Sequence, residues 1–161
     1  MQSGNMVIDA QAIEHLELLE VPGRTKNHKE GSFFSFLAKG CATPFGKRLM
    51  KRWIVSPLKE AAKINQRLDA VTDLVRETML RDKLQAKLKK IPDIERLLSK
   101  IYTYSTKATV KAIYIDIAVL TRLDEFYNLL HVMTSLKEII SDIFDKEAMK
   151  SLKSQRLRAL V

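Results

Sequence analysis

The sequence predicts a mostly α-helical fold: a multi-helix core domain with a small N-terminal β element and a long lever-like helix near the C-terminus. Three observations carry this. Turn chemistry is scarce, with 5 Gly and 4 Pro in 161 residues, while helix-favouring Leu, Ile, Lys, Glu and Ala are abundant. Apolar residues recur at helical spacing through most of the chain. The stretch Thr43–Trp53, T-P-F-G-K-R-L-M-K-R-W, splits on a helix into two arcs. Phe45, Leu49, Met50, Trp53 and Ile54 fall on one half, and Lys47, Arg48, Lys51 and Arg52 on the other.

Met6–Ile8 is short and apolar, and Asp9 is placed to cap a turn over Ala10–Glu14. Leu16, Leu18 and Leu19 read as a second short strand, completing the small β element. Val21–Glu30 holds Pro-Gly and many polar residues, an exposed loop. Gly31-Ser32 opens a short helix with Phe33, Phe34, Phe36 and Leu37. Thr43 then caps the amphipathic helix, with Pro44 at its first position, where a missing N–H is harmless.

Ser56-Pro57 ends that helix. The next spans about Lys59–Arg76, with an apolar stripe of Ile64, Leu68, Val71 and Val75 expected in the core. Leu80, Leu84, Leu88 and Ile91 mark a further helix. Pro92 stops it and opens another, with Asp93 and Glu95 in the first turn, where the helix dipole favours acids. Its core face is Ile94, Leu97, Leu98 and Ile101. The polar, β-branched run Tyr102–Thr106 predicts a break. A long helix over Lys107–Met133 follows, burying Val110, Ile113, Ile117, Leu120, Leu123, Tyr127 and Leu130. At ~1.5 Å per residue it is roughly 40 Å long, the dimension of a strut. Ser135 and Glu138 fit a capping box for a last helix bearing Leu136, Ile139, Ile140, Ile143 and Phe144. From Asp145 the apolar pattern thins and basic residues dominate, so the sequence leaves the order of the tail 145–161 open.

Composition is that of one ordinary globular domain, 46% hydrophobic and 29% charged. The net charge of +9 points to an anionic partner, nucleic acid first. A single cysteine, Cys41, excludes an internal disulfide. No apolar run approaches the ~18–20 residues of a membrane span, so no membrane partner is expected. Lys39–Lys63 holds seven basic residues against Glu60, and Arg81–Lys90 five against Asp82. Lys47, Arg48, Lys51 and Arg52 are the candidate nucleic-acid contacts. Without aromatic residues among them to stack bases, solvated or ion-paired helix faces remain the favoured reading.

Catalytic and metal constellations are missing. His15, His28 and His131 lie far apart, and Cys41 has no base beside it. Asp69 and Asp73 share a helix face without a partner motif and read as two solvated acids. Gly40–Arg48 imitates a phosphate-binding P-loop, but its glycines are one residue too far apart. Arg48 replaces the metal-binding hydroxyl, and Pro44 removes a cradle N–H. No catalytic, cofactor-binding or metal residue is therefore assigned.

Four segments, MVIDAQAIEHLELLE, GSFFSFLAKGCATPFGKRLMKRWIVSPL, INQRLDAVTDL and IPDIERLLSKI, resemble in wording, order and spacing the core domain of MutS-type DNA mismatch-repair proteins. The TPFGKRLMKRW form is similar to that of the eukaryotic mismatch-recognising subunits, the Msh6 type. The resemblance implies a core domain over 6–104, the start of lever helices over 105–144 and a tail beyond. It also implies a hub joining mismatch-binding and clamp regions to an ATPase outside this chain. DNA and a second MutS homologue are the implied partners of the parent protein, in the nucleus if eukaryotic and otherwise in the cytoplasm. ATP and Mg are implied for the full-length parent only. The family's Phe-x-Glu wedge and P-loop are missing, so the chain reads as an excerpt or a truncated gene product, with no cofactor or enzymatic activity of its own. The alternative is a stand-alone basic helical domain that binds nucleic acid non-specifically.

The hub reading expects the structural core to contain Phe45, Leu49, Trp53, Ile64, Leu68, Val71, Ile94, Leu97 and Leu98. The apolar arc would pack on the Lys59–Arg76 and Pro92–Ile101 helices, and Trp53→Ala would then cost about 3–5 kcal/mol.

Overall fold

The computed structural model describes residues 4–23, 30–107 and 116–160. Among these residues the chain is helical, with elements α1 (Ala10–His15), α2 (Phe33–Ala38), α3 (Pro44–Val55), α4 (Ala61–Arg76), α5 (Thr78–Leu88), α6 (Ile94–Lys107), α7 (Asp116–Ile143), α8 (Lys146–Ser151) and α9 (Gln155–Arg158).

The early helices start where short polar side chains satisfy orphan N–H groups. The Asp9 carboxylate accepts from the Ala12 N–H at 2.6 Å, the Ser32 hydroxyl from Ser35 at 3.2 Å and the Thr43 hydroxyl from Gly46 at 3.1 Å. A Cβ on Gly46 would sit 2.8 Å from Thr43 Oγ1, so a larger residue there would require that hydroxyl to shift.

The small β element is not formed among the described residues. What exists is one antiparallel bridge between Asn5 and Leu58. It is flanked by bonds from the Met6 N–H to the Pro57 carbonyl (2.7 Å) and from the Lys59 N–H to the Gly4 carbonyl (3.2 Å). Leu16–Leu19 is a turn, not a strand. Its carbonyls are committed elsewhere: Phe33 N–H donates to Glu17 and Phe34 N–H to Leu18, which satisfies the start of α2.

α6 runs straight through the expected break at Tyr102–Thr106. The Ser99, Thr103 and Thr106 hydroxyls donate to carbonyls one turn earlier, so these residues stay in the helix. α7 likewise passes Ser135 without interruption, and the expected capping box is absent. Thr134 Oγ1 donates to the Leu130 carbonyl, and the Ser135 hydroxyl faces His131 Nδ1 rather than an N-terminal N–H. With 28 residues, α7 is roughly 42 Å long at ~1.5 Å per residue. The long helix is therefore real but set later in the chain than its pattern suggested. Val110, Ile113, the Ile117 side chain and His28 lie outside the described residues.

The core lies at the far end of α7. Ile143, Phe144, Leu152 and Leu157 are buried, packed by Ala70 and Leu74 of α4, Leu80 and Leu84 of α5, Ile139, Ile140 and Met149. The tail, whose order the sequence leaves open, forms α8 and α9 and supplies Leu152, which is fully buried. The buried face of α4 is correspondingly not the expected stripe. Ile64, Leu68, Val71 and Val75 are exposed, while Ala70, Asp73 and Leu74 turn inward. The reason is the docking of α9 on α4. The Asp73 carboxylate accepts the Lys153 and Ser154 N–H groups, both at 2.7 Å, and so fixes which side of α4 is covered.

Leu49 and Leu98 are also exposed, whereas Phe45, Trp53, Ile94 and Leu97 are half-buried. α3 packs chiefly against α2. It meets α4 through Trp53, over whose ring the Arg67 guanidinium lies at 3.8 Å. It meets the start of α6 through Arg48 and Arg52 of its basic arc. α6 packs along α7, where Lys100 pairs with Glu125 and the Arg122 guanidinium lies 5.0 Å from the Tyr104 ring centre. The outer part of α7 leaves Leu120, Leu123, Tyr127 and Leu130 exposed, against expectation, with Leu129 buried instead.

Candidate functional site

The basic arc of α3 is divided by its neighbours. Arg48 grips Asp93 with both terminal nitrogens, at 2.9 and 2.5 Å, and donates from Nε to Glu95 at 2.6 Å. Such a bidentate fork is the strongest geometry an ion pair adopts. The Arg48 hydrogen bonds hold the Asp93 carboxyl below its ordinary range, and the two acids in turn raise Arg48 above its own. Arg52 stands 3.9 Å from Glu95, and Arg96 3.5 Å from Asp93. The first turn of α6 is therefore a socket for α3. Its acids serve the helix dipole and the fork together.

Of the four residues assigned to nucleic acid, Arg48 is spent on this internal tie. Lys47 and Lys51 are exposed and carry no ion pair among the described residues. Arg52 is largely exposed, with a long contact to Glu95. The second basic run is partly spent as well. Arg81 pairs with Asp82 at 2.8 Å, and Lys83 and Lys87 reach Asp142 of α7 at 3.3 and 3.6 Å. The Lys83 hydrogen bond, above all, holds Asp142 below the usual carboxylate range.

Asp73, read as a solvated acid, is instead buried. The N–H of Ser154 is the largest influence lowering its pKa, helped by the Lys153 N–H and Arg76 and opposed by desolvation. Arg76 also donates to the Ser151 carbonyl. No local signal marks Asp73, because its partners lie 80 and 81 residues away. The Arg48–Asp93 tie had a visible hint: first-turn acids in one helix and a basic arc in another.

His15 and His131 are exposed and Cys41 half-buried. Among the described residues no group of three His, Cys, Asp or Glu side chains could hold a metal ion. No described helix is long and apolar enough to cross a membrane. Among the described residues the arrangement joins helices by charge and apolar contact.

A family model of MutS domain III matches residues 11–161. The DNA mismatch repair protein Msh6 of Gallus gallus is 43% identical over 98 residues, 61% of this chain and 7% of that protein. MutS of an Exiguobacterium strain is 41% identical over 97 residues, 60% of this chain and 11% of that protein. MutS of Caldanaerobacter subterraneus is 36% identical over 141 residues, 88% of this chain and 15% of that protein. The chain spans only about a tenth of the length of such relatives. With the domain match running through nearly every residue, from α1 to α9, the chain belongs to the MutS domain III family.

Proposed function

We propose that this chain is the structural and allosteric core module of a DNA mismatch-repair protein. It links mismatch-binding and clamp regions to an ATPase that lies outside it. The observation that carries this reading is α7. This 28-residue helix is held at one end through Ile139, Ile140 and Ile143 against α4, α5 and the tail, and α6 meets it at Arg122 and Glu125 toward the other. A stiff rod braced by its neighbours transmits displacement as a body. The Arg48 fork ties α3 to the start of α6, which packs along that rod. DNA, ATP and Mg are then handled by the parent protein, and the module itself does no chemistry. The parent pairs with a second MutS homologue. It works in the nucleus if its kinship to Msh6 and Msh2 proteins reflects a eukaryotic source, and in the cytoplasm otherwise.

The test is a graft in place of the matching stretch of Caldanaerobacter MutS. The parental segment is expected to sustain ATP-dependent release of DNA. Leu129→Pro, in the middle of α7, costs about 3 kcal/mol of helix stability. It is expected to leave DNA binding and ATP turnover in place while abolishing the effect of one on the other. Normal coupling in that variant overturns the rod. The alternative, direct nucleic-acid binding, rests on exposed Lys47 and Lys51. Sub-micromolar duplex binding by the isolated chain near physiological salt, lost on Lys47→Gln with Lys51→Gln, is the result that favours it.

A further inference from the structure

The spacing of Ile64, Leu68, Val71 and Val75 is the apolar seam of a heptad helix, with Leu68 and Val75 at one seam position and Ile64 and Val71 at the other. A paired helix buries such a seam, yet here the four residues are 37, 55, 56 and 63% exposed. α9 docks on α4 through Asp73 and leaves this face open. Contiguous apolar exposure of this kind marks a contact surface. One charge stands at its edge. Arg67 lies one turn from both Ile64 and Val71, so it neighbours them on the helix surface. Its guanidinium lies 3.8 Å from the Trp53 ring centre, and its Nε is buried without a hydrogen-bond acceptor. It makes no ion pair with any described residue. A cavity of about 360 Å³ beside it includes Leu49, Trp53 and Leu58 in its wall and no acidic residue. The other basic side chains of α4 are answered: Lys63 pairs with Glu60, and Arg76 with Asp73.

A half-buried cation without a counter-charge is costly unless an anion joins it. An apolar seam with one unanswered cation at its edge fits a helix that has its own apolar seam and an acid on the facing edge. A second copy of the chain does not supply that acid. Laid parallel and in register it sets Thr72 across from Arg67, and laid antiparallel with full overlap it sets Leu74 there. The relatives run to about ten times the length of this chain, so a parent protein has ample further sequence. We infer that the Ile64–Leu68–Val71–Val75 face of α4 is the docking surface for an acidic amphipathic helix of the parent protein, from outside these 161 residues. A carboxylate of that helix pairs with Arg67 over Trp53. The inference rests on the chain being one module of a longer parent, but not on α7 acting as a rod.

Trp53 is the only tryptophan and lies under Arg67, so its fluorescence reports the seating of a partner. The intact chain is titrated with two synthetic three-heptad helices that carry Leu at the seam positions, one with Glu and one with Lys on both flanks. Like charge keeps each from pairing with itself. The Glu helix is expected to bind saturably, and the Lys helix about tenfold more weakly, because it sets like charge against Arg67. Leu68→Glu with Val71→Glu, both at exposed positions, abolishes the signal. Arg67→Gln weakens the Glu helix about tenfold, the effect of removing a charge-assisted hydrogen bond. Lys39→Gln, an equal loss of charge at an exposed residue after α2, leaves binding unchanged. If Arg67→Gln loses the parental melting transition, the seam variant and the comparison of the two helices decide. Absence of saturation, equal binding of the two helices, or parental binding by the seam variant overturns the surface. Sedimentation of the chain alone is expected to show a monomer; a dimer dissolved by the seam variant makes a second copy the occupant and overturns the inference. In the Caldanaerobacter graft, a benzophenone side chain at position 68 is expected to cross-link to an acidic helix of the host outside the graft. A cross-link confined to the graft overturns the parental source.

Discussion

The two ends of the molecule are held by different physics. Around Leu152 the chain is dry: four buried apolar residues from α7, the segment after it and α9 close against α4 and α5. Around α3 it is polar: a guanidinium fork to Asp93, an arginine on a tryptophan and an asparagine bonded to Ser56. Apolar burial contributes in proportion to area and tolerates no misfit, whereas exposed ion pairs add little stability and much direction. The dry end fixes the fold, and the polar end fixes how α3 and α6 are set against each other.

Deleting apolar volume at the dry end is the harshest way to break this contrast. Leu152→Ala is expected to cost about 3–4 kcal/mol in urea denaturation, since the side chain is fully buried and leaves a cavity. Asp73→Ala comes next, at about 2–3 kcal/mol, because two backbone N–H groups lose their acceptor. This variant also sharpens the contrast by pH. The Asp73 pKa is lowered on folding, so its stabilisation is complete above the unfolded value near 4 and fades as pH falls toward the folded value. The acid limb of a melting-temperature profile is therefore shallower in Asp73→Ala than in the parent. At the polar end, Trp53→Ala is expected to cost about 2 kcal/mol, less than a buried tryptophan would, because the ring is only half-buried and part of its contact is with Arg67. Arg48→Gln has the smallest effect. It lowers the melting temperature less than any of these, and the difference shrinks further as salt is added. An Arg48→Gln loss larger than that of Leu152→Ala would invert the comparison.

Local chemistry made much of the fold legible. The caps at Asp9, Ser32 and Thr43, the Pro44 start, the Ser56-Pro57 stop and the Asp93/Glu95 turn each depend on residues within a few positions. What local pattern could not supply was which face of α4 is covered. Two faces of that helix carry apolar residues, and the choice is made by Ser154 and Leu157 far along the chain. Polarity misled at Tyr102–Thr106 and Ser135: the Thr103 and Thr106 hydroxyls found carbonyls inside α6, and the Ser135 hydroxyl met the His131 ring inside α7, instead of ending the helix. At the candidate sites, Arg48 was visible as a cation but not as a spent one. Arg67 sat unremarked inside INQRLDAVTDL, since only folding brings it to Trp53.

The closure of α4 by α9 has a consequence for inheritance. An in-frame deletion of residues 152–158 would spare α1 to α8 and alter nothing near α3. It would nevertheless strip Leu152, Ser154 and Leu157 from the protein, opening the interior and orphaning the Asp73 carboxylate. Such an allele would leave a polypeptide that cellular proteases remove, so its carrier would lose the product by clearance.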